Sequence, residues 1–314
     1  MPITKPAHQP KFSWENLRVN DDLGTVEGVV SEGAVLAHAF AIGENPETYV
    51  QGIEGVGPFV PPSLLINDLL KLFLVGYDCT EFGSGGGLHT KALITNHAPL
   101  AIGAPVSITG THVAKFIRQG RRHRSVKSEI RSQGTLIAEM LATETVGYTT
   151  DNGPDEGEAP PNWAAELPRV ATDIPRDGSR VIGPVRHWVG LEQSVCFSGF
   201  PFVWAQERVN MRQGLHTNFD IARKAGYPVP VVQGLMSASH LSSLLLREFG
   251  AGFFNGTQMA LKFVAPLLAE TWLTSHAVQV SHTPPDSAKS DLFSLVSYDE
   301  KGQIYTAGYA KVPQ

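Results

Sequence analysis

The chain has 314 residues, 42% of them hydrophobic and 18% charged, with a mean hydropathy of -0.07, values typical of a globular protein rather than a disordered or fibrous one. This length exceeds that of most single domains, so two domains are expected. The net charge of -5 disfavours nucleic acid as a partner, because phosphate binding requires an excess of Lys and Arg on one surface.

The cysteines and the N-terminal stretch bear on the compartment. Cys79 and Cys196 each stand alone, without a disulfide framework or a CxxC metal or redox site, which fits a reducing compartment. The opening stretch MPITKPAHQPKFSWENL has no apolar run of signal-peptide length, and no later segment reaches membrane-spanning length. No histidines show metal-ligand spacing. We therefore expect a cytoplasmic protein with no membrane partner and no metal.

A linker and two similar helices organise the chain. Residues 151–180 combine Pro, Gly and acidic residues without apolar periodicity, which is typical of an exposed connection. They separate an N-terminal unit, 1–150, from a C-terminal unit, 181–314. Apolar runs at helical spacing predict one helix within 60–76, entered through prolines, and another within 231–250, closed by a C-terminal glycine.

Each predicted helix is followed by strand-like sequence. Both units contain Ala-Pro-Leu, at 98–100 and 265–267, in stretches predicted to be strands. Alternating strands follow, with hairpin turns at Ser-Gln-Gly (132–134) and Glu-Lys-Gly (300–302). One buried helix followed by long antiparallel strands, twice, predicts an α+β architecture. The tetrapeptide GLHT at 87–90 and 214–217 lies on opposite sides of the two helices, so these copies are not equivalent positions.

Two motifs in the C-terminal unit resemble those of a known family. HTNFDIARKAGYPVPVVQG is similar to a sequence of histidine, helix, Gly-Tyr-Pro and His-Gly, and LKFVAPL to a Phe-x-x-Pro strand. Both are typical of the MaoC-like (R)-specific enoyl-thioester hydratases and dehydratases. The resemblance covers nearly the whole chain and implies their double-hotdog branch, in which each of two units wraps a curved antiparallel sheet around a long helix. It further implies that IGENPETYV, with Glu44 and Tyr49, is a worn active-site copy, so that the N-terminal unit is non-catalytic.

Hydration of an enoyl thioester requires a group that moves protons and a donor to the developing enolate oxygen. A histidine, with an ordinary pKa of about 6.5, suits the first task, and an unpaired amide at a helix N-terminus suits the second. The resemblance therefore implies His216 as general base, Gly234 N–H as oxyanion donor and Asn210 as the residue that positions water or the 3-hydroxyl. The alternative for His216 is a solvent-facing loop residue, with Asn218 only capping the next helix.

Some positions depart from the family pattern. Met211 stands where the family has Asp, and methionine transfers no proton; Glu207 is a candidate substitute acid. Gln233 stands where a histidine precedes the glycine. Four residues are predicted to bind substrate: Gln233, Leu235, Arg212 and Arg122. Arg122 belongs to a basic run that either contacts the phosphates of coenzyme A or an acidic carrier protein, or forms a solvated strand edge.

The sequence thus predicts a hydro-lyase acting on 2-enoyl or 3-hydroxyacyl thioesters of coenzyme A or a carrier protein, with no cofactor besides that substrate. It would work as a homodimer or a hetero-oligomer of hotdog units. One alternative is a non-catalytic thioester-binding subunit of a hetero-oligomer. A further alternative is a hotdog thioesterase, for which Glu207 or Glu270 would supply the carboxylate.

Overall fold

The computed structural model describes residues 3–6, 8–79, 87–150, 153–157, 172, 179–205, 214–280 and 290–314. The helices and strands in these ranges are, in chain order, β1 (Asp22–Val29), α1 (Glu32–Ala41), α2 (Glu47–Val50), α3 (Pro62–Leu69), α4 (Phe73–Gly76), β2 (His89–Asn96), β3 (Pro105–Arg118), β4 (Arg121–Ser132), β5 (Thr135–Tyr148), β6 (Glu156–Gly157), β7 (Val181–Val189), α5 (Leu191–Gly199), α6 (Phe219–Lys224), α7 (Gly234–Phe249), β8 (Thr257–Phe263), β9 (Thr271–Gln279), β10 (Ser290–Tyr298) and β11 (Ile304–Pro313). Among these helices, none is long and apolar enough to cross a membrane.

In this part of the chain the strands form one antiparallel sheet, in the order β1-β3-β4-β5-β2-β8-β11-β10-β9-β7, with the short β6 paired to β3. The first five strands of this order precede residue 150 and the last five follow residue 180. The two sets join where β2 pairs with β8, with Asn96 opposite Thr257 and Lys91 opposite Lys262. The predicted α+β double hotdog is confirmed.

The central helix of the C-terminal set is α7, as predicted. Gly250 follows it with a φ of 51°, a backbone conformation that favours glycine at a helix C-terminus. Every residue from 235 to 246 is buried, including four serines. Two of these serines donate hydrogen bonds to backbone carbonyls of the same helix. Ser237 Oγ donates to Gly234 O at 2.7 Å, and Ser239 Oγ donates to Leu235 O at 2.8 Å. These bonds satisfy two of the polar side chains that the burial of the helix encloses.

The N-terminal set has the other predicted helix, built from α3, a 3-10 turn at Leu70–Leu72 and α4. Pro62 is its first residue, where the missing amide hydrogen costs no intrahelical bond. Residues 63–69 are all buried, and α3 packs directly against α7. The two central helices therefore contact each other inside the shared sheet.

The Ala-Pro-Leu repeats lie between strands, in the β2–β3 and β8–β9 connections, so their prediction as strands was wrong. A proline has no amide hydrogen to contribute to a strand ladder. The repeat is nevertheless structural. Leu100 O accepts from Val60 N at 2.8 Å, and Leu267 O accepts from Val232 N at 2.8 Å. Each of these valines stands two residues before the first residue of its central helix, so the repeat anchors both helix entrances.

The predicted hairpin turns are confirmed. Gln133 and Gly134, with φ values of 49° and 85°, connect β4 to β5, the positive values that a tight hairpin turn requires. Residues 299–303 connect β10 to β11, where the Asp299 carboxylate accepts from Lys301 N at 2.8 Å. In the predicted linker, β6 pairs with β3, whereas 158–171 and 173–178 lie outside the described residues.

The segment predicted to be a worn active-site copy packs between the two units. Tyr49 is buried, with its ring 5.4 Å from that of Phe59 and its hydroxyl 3.4 Å from Ser243 Oγ on α7. Glu44 is buried as well and forms an ion pair with Arg247 of α7. Burial raises the pKa of the Glu44 carboxyl, and Arg247 opposes that rise. This segment therefore stabilises the contact between the units.

Replacing Arg247 by methionine is expected to destabilise the protein, because it leaves the Glu44 carboxylate buried without its partner. Unpaired buried charges cost about 3 kcal/mol or more, so we expect the free energy of unfolding in urea to fall by about that amount. Arg223→Met, which breaks an exposed ion pair with Asp220, should change it by less than about 1 kcal/mol. If Glu44→Gln does not restore stability to the Arg247 variant, the ion pair is not what stabilises this contact.

Two helices that the sequence analysis did not single out, α1 and α5, pack against each other. Ser31 caps α1 by accepting from Ala34 N at 3.3 Å, and Gln193 of α5 donates to Phe40 O at 3.2 Å.

His38 of α1 connects this helix pair to α3, since its Nε2 lies 2.8 Å from Ser63 Oγ. Its ring centroid is 5.7 Å from that of Phe197. Burial, with a smaller contribution from Lys71, lowers the pKa of His38 to about 3.

His38 makes stability depend on pH. In the unfolded chain a histidine titrates near pH 6.5, whereas folded His38 stays neutral down to about pH 3. Its contribution is therefore present above pH 6.5 and is lost as the pH falls from there toward 3. Between pH 7 and pH 5 we expect His38 alone to remove about 2 kcal/mol from the free energy of unfolding. His38→Gln should show a correspondingly smaller loss in urea titrations, and an equal loss in both proteins would contradict this assignment.

Candidate active site

A cavity of about 520 Å³ lies where the two units meet. Its walls come from both of them, with the C-terminal unit contributing the loop before α6, the entrance of α7 and the ends of β8 and β11. The lining residues from the C-terminal unit are Ser198, 214–217, Ile221, Tyr227, 231–234, Ser237, 263–267, Tyr305 and Thr306. Those from the N-terminal unit are Phe12, Leu70, Lys71, Phe73, 87–90, Arg121, Arg124 and 144–146.

His216 is half-buried in the loop before α6 and lines this cavity. Its Nδ1 lies 2.6 Å from Val231 O. A carbonyl only accepts, so Nδ1 carries the hydrogen and Nε2 holds the lone pair of the neutral ring. The backbone is also fixed, because Ser194 Oγ donates to His216 O at 3.4 Å. Both the orientation and the tautomer of the imidazole are thereby set.

The predicted helix cap at Asn218 is confirmed. Its Oδ1 accepts from Asp220 N at 2.9 Å and from Ile221 N at 3.1 Å, at the start of α6. The loop before it is closed by Gly214 N, which donates to Thr217 Oγ1 at 3.1 Å. These bonds hold His216 between a capped helix and a closed turn.

Gly234 is the first residue of α7 and lines the same cavity. An amide at this position has no acceptor within its own helix, and the helix dipole favours negative charge there. The side chain of the N-cap residue, Gln233, makes no capping hydrogen bond to this helix end. Gln233, the residue before it, is turned toward α5, where its Oε1 accepts from Ser198 Oγ at 3.0 Å. Since Val231 binds His216 and stands three residues before Gly234, one short segment positions both groups.

Phe263 explains why residue 234 is glycine. A Cβ at this position would lie 2.8 Å from Phe263 Cδ1, closer than side chains pack. The Phe263 ring also lies 4.4 Å, centroid to centroid, from the ring of His89. Burial is the main reason that the pKa of His89 falls to about 3, so this imidazole is neutral at physiological pH. Phe263 therefore connects the helix entrance to the N-terminal wall of the cavity.

Of the remaining predicted site residues, two lie away from the cavity lining and two are not described. Leu235 is buried in the core and is not among the lining residues. Arg122 lies 3.6 Å from Glu15 and over the Trp14 ring, outside the cavity lining. Predicted Asn210 and Arg212, together with Met211 and Glu207, fall outside the described residues. Glu270, considered for a thioesterase, accepts from Leu191 N at 2.8 Å at the start of α5 and is not a lining residue.

The sequence analysis missed the polar wall of the N-terminal unit. Strand register places Arg124 opposite Glu144, and Glu144 opposite His89, in one row across β4, β5 and β2. Arg124 and Glu144 form an ion pair, and all three residues line the cavity. The two GLHT copies are not structurally equivalent, yet both line this cavity. Alternation along β4 groups Arg124 with the buried Val126, Ser128 and Ile130, but it groups Arg122 with them as well, so it does not single out the arginine that lines the cavity.

Solved structures similar to this chain include MaoC-like dehydratases and a double-hotdog protein. A MaoC-like dehydratase from Phytophthora capsici is 14% identical, with a TM-score of 0.65 over 94% of this chain and 96% of that one. HtdX from Mycobacterium tuberculosis is 14% identical, with a TM-score of 0.59 over 92% and 99%. A conserved hypothetical protein from Mycobacterium tuberculosis with a double hotdog fold is 11% identical, with a TM-score of 0.61 over 96% and 98%. No protein-family model matches the sequence, and a search of curated proteins gives no significant match. The chain thus has the double-hotdog fold found in MaoC-like dehydratases.

Gly234→Ala is expected to push the Phe263 ring out of place and to lower the free energy of unfolding by about 1–3 kcal/mol, the usual cost of overpacking. Phe263→Leu in the same chain should recover part of the loss by vacating the space. Gly252→Ala is the matched control, since a Cβ there meets no atom within 4 Å. Equal costs for the two single alanine variants, measured by urea unfolding, would show that Phe263 does not determine the need for glycine.

Proposed function

We propose that the protein is a hydro-lyase that adds water to a 2-enoyl thioester or removes it from a 3-hydroxyacyl thioester. The observation that carries the proposal is the joint placement of His216 and the Gly234 amide on one cavity through residues 231–234. One structural neighbour is a MaoC-like dehydratase, and dehydration is the chemistry proposed here. That neighbour and HtdX are both similar to this chain in fold.

In the hydration direction, His216 Nε2 accepts a proton from water as the water oxygen forms its bond to C3 of the substrate. The C2–C3 π electrons move toward the thioester oxygen, where the Gly234 N–H and the α7 dipole stabilise the developing charge. The resulting imidazolium then returns its proton to C2, which completes the addition of one water molecule. The hydrogen bond to Val231 O keeps the basic nitrogen at Nε2 throughout.

The C-terminal unit supplies these groups in the proposal, and the N-terminal unit does not repeat them. The residue two positions after Val232 is Gly234, which has an amide hydrogen, whereas the residue two positions after Val60 is Pro62, which has none. The equivalent helix entrance therefore has no amide donor at its first position. In this scheme the N-terminal unit forms the opposite wall of the acyl cavity.

The substrate would be presented as a thioester of coenzyme A or of a carrier protein, and the chemistry requires no cofactor. Arg121, which is exposed and lines the cavity, is a better placed contact for the carrier phosphates than the predicted Arg122. We also propose that the protein works as a homodimer or a hetero-oligomer of hotdog units, and that Asn210, on the segment preceding His216, positions the water.

His216→Ala should lower turnover of 2-enoyl and 3-hydroxyacyl thioesters by about 10²- to 10⁴-fold, the usual contribution of a general base. His97→Ala is the control, since His97 pairs with Glu139 at 3.3 Å and does not line the cavity. The measurement is the absorbance of the conjugated thioester over a panel of chain lengths. Water addition that survives unchanged in the His216 variant would refute the mechanism.

Two other outcomes would support the competing functions. Release of free thiol from the panel by the unmodified protein would identify a thioesterase. Tight thioester binding without any turnover would identify a non-catalytic thioester-binding subunit, as expected if the Met211 position requires an acid supplied by another chain.

A further inference from the structure

Arg124 is a buried cation in the wall of the cavity. Only 2% of its surface is exposed, and its Nη2 donates to the Glu144 carboxylate directly opposite on β5. The guanidinium packs against two neighbouring aromatic rings, 4.9 Å from the Phe12 centroid and 4.7 Å from the Phe73 centroid. The ion pair and the rings hold the guanidinium in one orientation.

Two other nitrogens of this guanidinium, Nε and Nη1, are buried. Among the described residues neither has a hydrogen-bond acceptor. An unsatisfied buried donor normally costs stability, and donors on charged groups cost more than neutral ones. Because Arg124 lines the cavity, a molecule bound there can accept the hydrogen bonds that the described protein atoms do not accept from Nε and Nη1. Buried donors of this kind indicate a polar subsite.

The chemistry of a guanidinium limits what can occupy this subsite. It donates through all its N–H groups and accepts nothing, so the ligand must offer oxygen lone pairs. Glu144 already balances the charge of Arg124, so a neutral carbonyl or hydroxyl oxygen fits as well as a carboxylate. A plain alkyl chain fits poorly, since it would cover these donors without pairing them.

The position of Arg124 assigns the subsite to the far end of the acyl group. In the proposed mechanism the thioester oxygen lies at Gly234, and the Phe263 ring contacts both the Gly234 position and His89. From His89 the cross-strand row continues through Glu144 to Arg124, two strands further on. Neighbouring strands lie about 4.8 Å apart, so Arg124 is on the order of 10 Å from His89 along the sheet.

We infer that the acyl group of the substrate carries a hydrogen-bond-accepting oxygen at its distal end, bound by Nε and Nη1 of Arg124. Arg124 is thus a specificity-determining residue supplied by the N-terminal unit. This assignment rests on the proposed thioester function and specifies its substrate class as polar acyl groups, rather than plain alkyl chains.

The test compares 2-enoyl thioesters of equal length that end in a methyl group, a hydroxyl, a ketone or a carboxylate. The unmodified protein should favour at least one of the oxygen-bearing substrates over the methyl-ended one by about 10- to 150-fold in kcat/KM, the value of hydrogen bonds to a charged group. Comparing the hydroxyl- and ketone-ended substrates with the carboxylate-ended one shows whether the subsite prefers a neutral or a charged distal group. A wild-type protein that shows no such preference overturns the inference, whatever the variants do.

The key variant is Arg124→Met with Glu144→Met, which removes both charges together and so leaves neither buried alone. Its preference for the oxygen-bearing substrate should fall at least about ten-fold relative to wild type. Arg124→Lys, which keeps the charge but shortens the donor group, should lower the preference as well and serves if the double variant does not fold. The control is Arg131→Met on the same strand, whose side chain pairs with Glu129 at 2.8 Å and does not line the cavity.

Two further arms separate this inference from others. If Arg124 instead holds carrier phosphates, its variants will weaken every coenzyme A ester alike and leave truncated N-acetylcysteamine thioesters unaffected, which overturns the inference. If no thioester is turned over, the proposed function fails, but the same ratios can be read from dissociation constants measured by calorimetry. A retained, Arg124-dependent preference in binding would then support the subsite, and its absence would overturn it.

Discussion

The short segment before α7 is the constraint on which the site depends. Residues 231 and 232 bond in two directions, with Val231 O accepting from His216 Nδ1 and Val232 N donating to Leu267 O. Two residues later the chain enters α7 at Gly234, whose helix is buried over most of its length. A shift in this segment would therefore move the imidazole and the helix entrance together. Such rigidity is what an electrostatic site requires, because donors must be in place before charge develops.

The same anchoring bond occurs in the N-terminal unit, where the bond from Val60 N to Leu100 O fixes the entrance of α3. Conservation of this bond between the units maintains two buried central helices that pack against each other. What differs is the residue that follows. Pro62 suits the first turn of a helix and stabilises its start, but it removes the amide that Gly234 retains. The two entrances thus share a structural role and differ in what they can offer to a ligand.

Local sequence signals predicted those parts of the fold that local interactions determine. The two central helices, the cap at Asn218 and the turn at Gln133 follow from periodicity, a short side chain and the need for positive φ. The Ala-Pro-Leu segments were recognised as a repeat but assigned to strands, because alternation alone does not reveal that a proline ends the ladder. The cavity placement of His216 and Gly234 followed from a motif within one short stretch of chain.

The polar wall could not be predicted in the same way, since it arises from pairing between distant strands. Arg122 and Arg124 are two residues apart and should share a face in a regular strand, yet only Arg124 lines the cavity. The register of β4 and β5 shifts between Arg121 and His123, which breaks the alternation at this point. No signal in the sequence marks that shift. His89 and Arg124 are aligned because each lies opposite Glu144, on the strands to either side of it.

The two units divide the requirements of the cavity between them. In the N-terminal unit, the segment with Glu44 and Tyr49 packs on α7 instead of facing a ligand, and Pro62 occupies the helix entrance. The strands of this unit instead contribute an ion pair, Arg124 and Glu144, to the cavity wall opposite the C-terminal unit. Burying such a pair contributes little stability compared with apolar side chains of similar size. Arg124 lines the cavity, and its Nε and Nη1 have no acceptor among the described residues, which is the cost that the proposed polar subsite would offset.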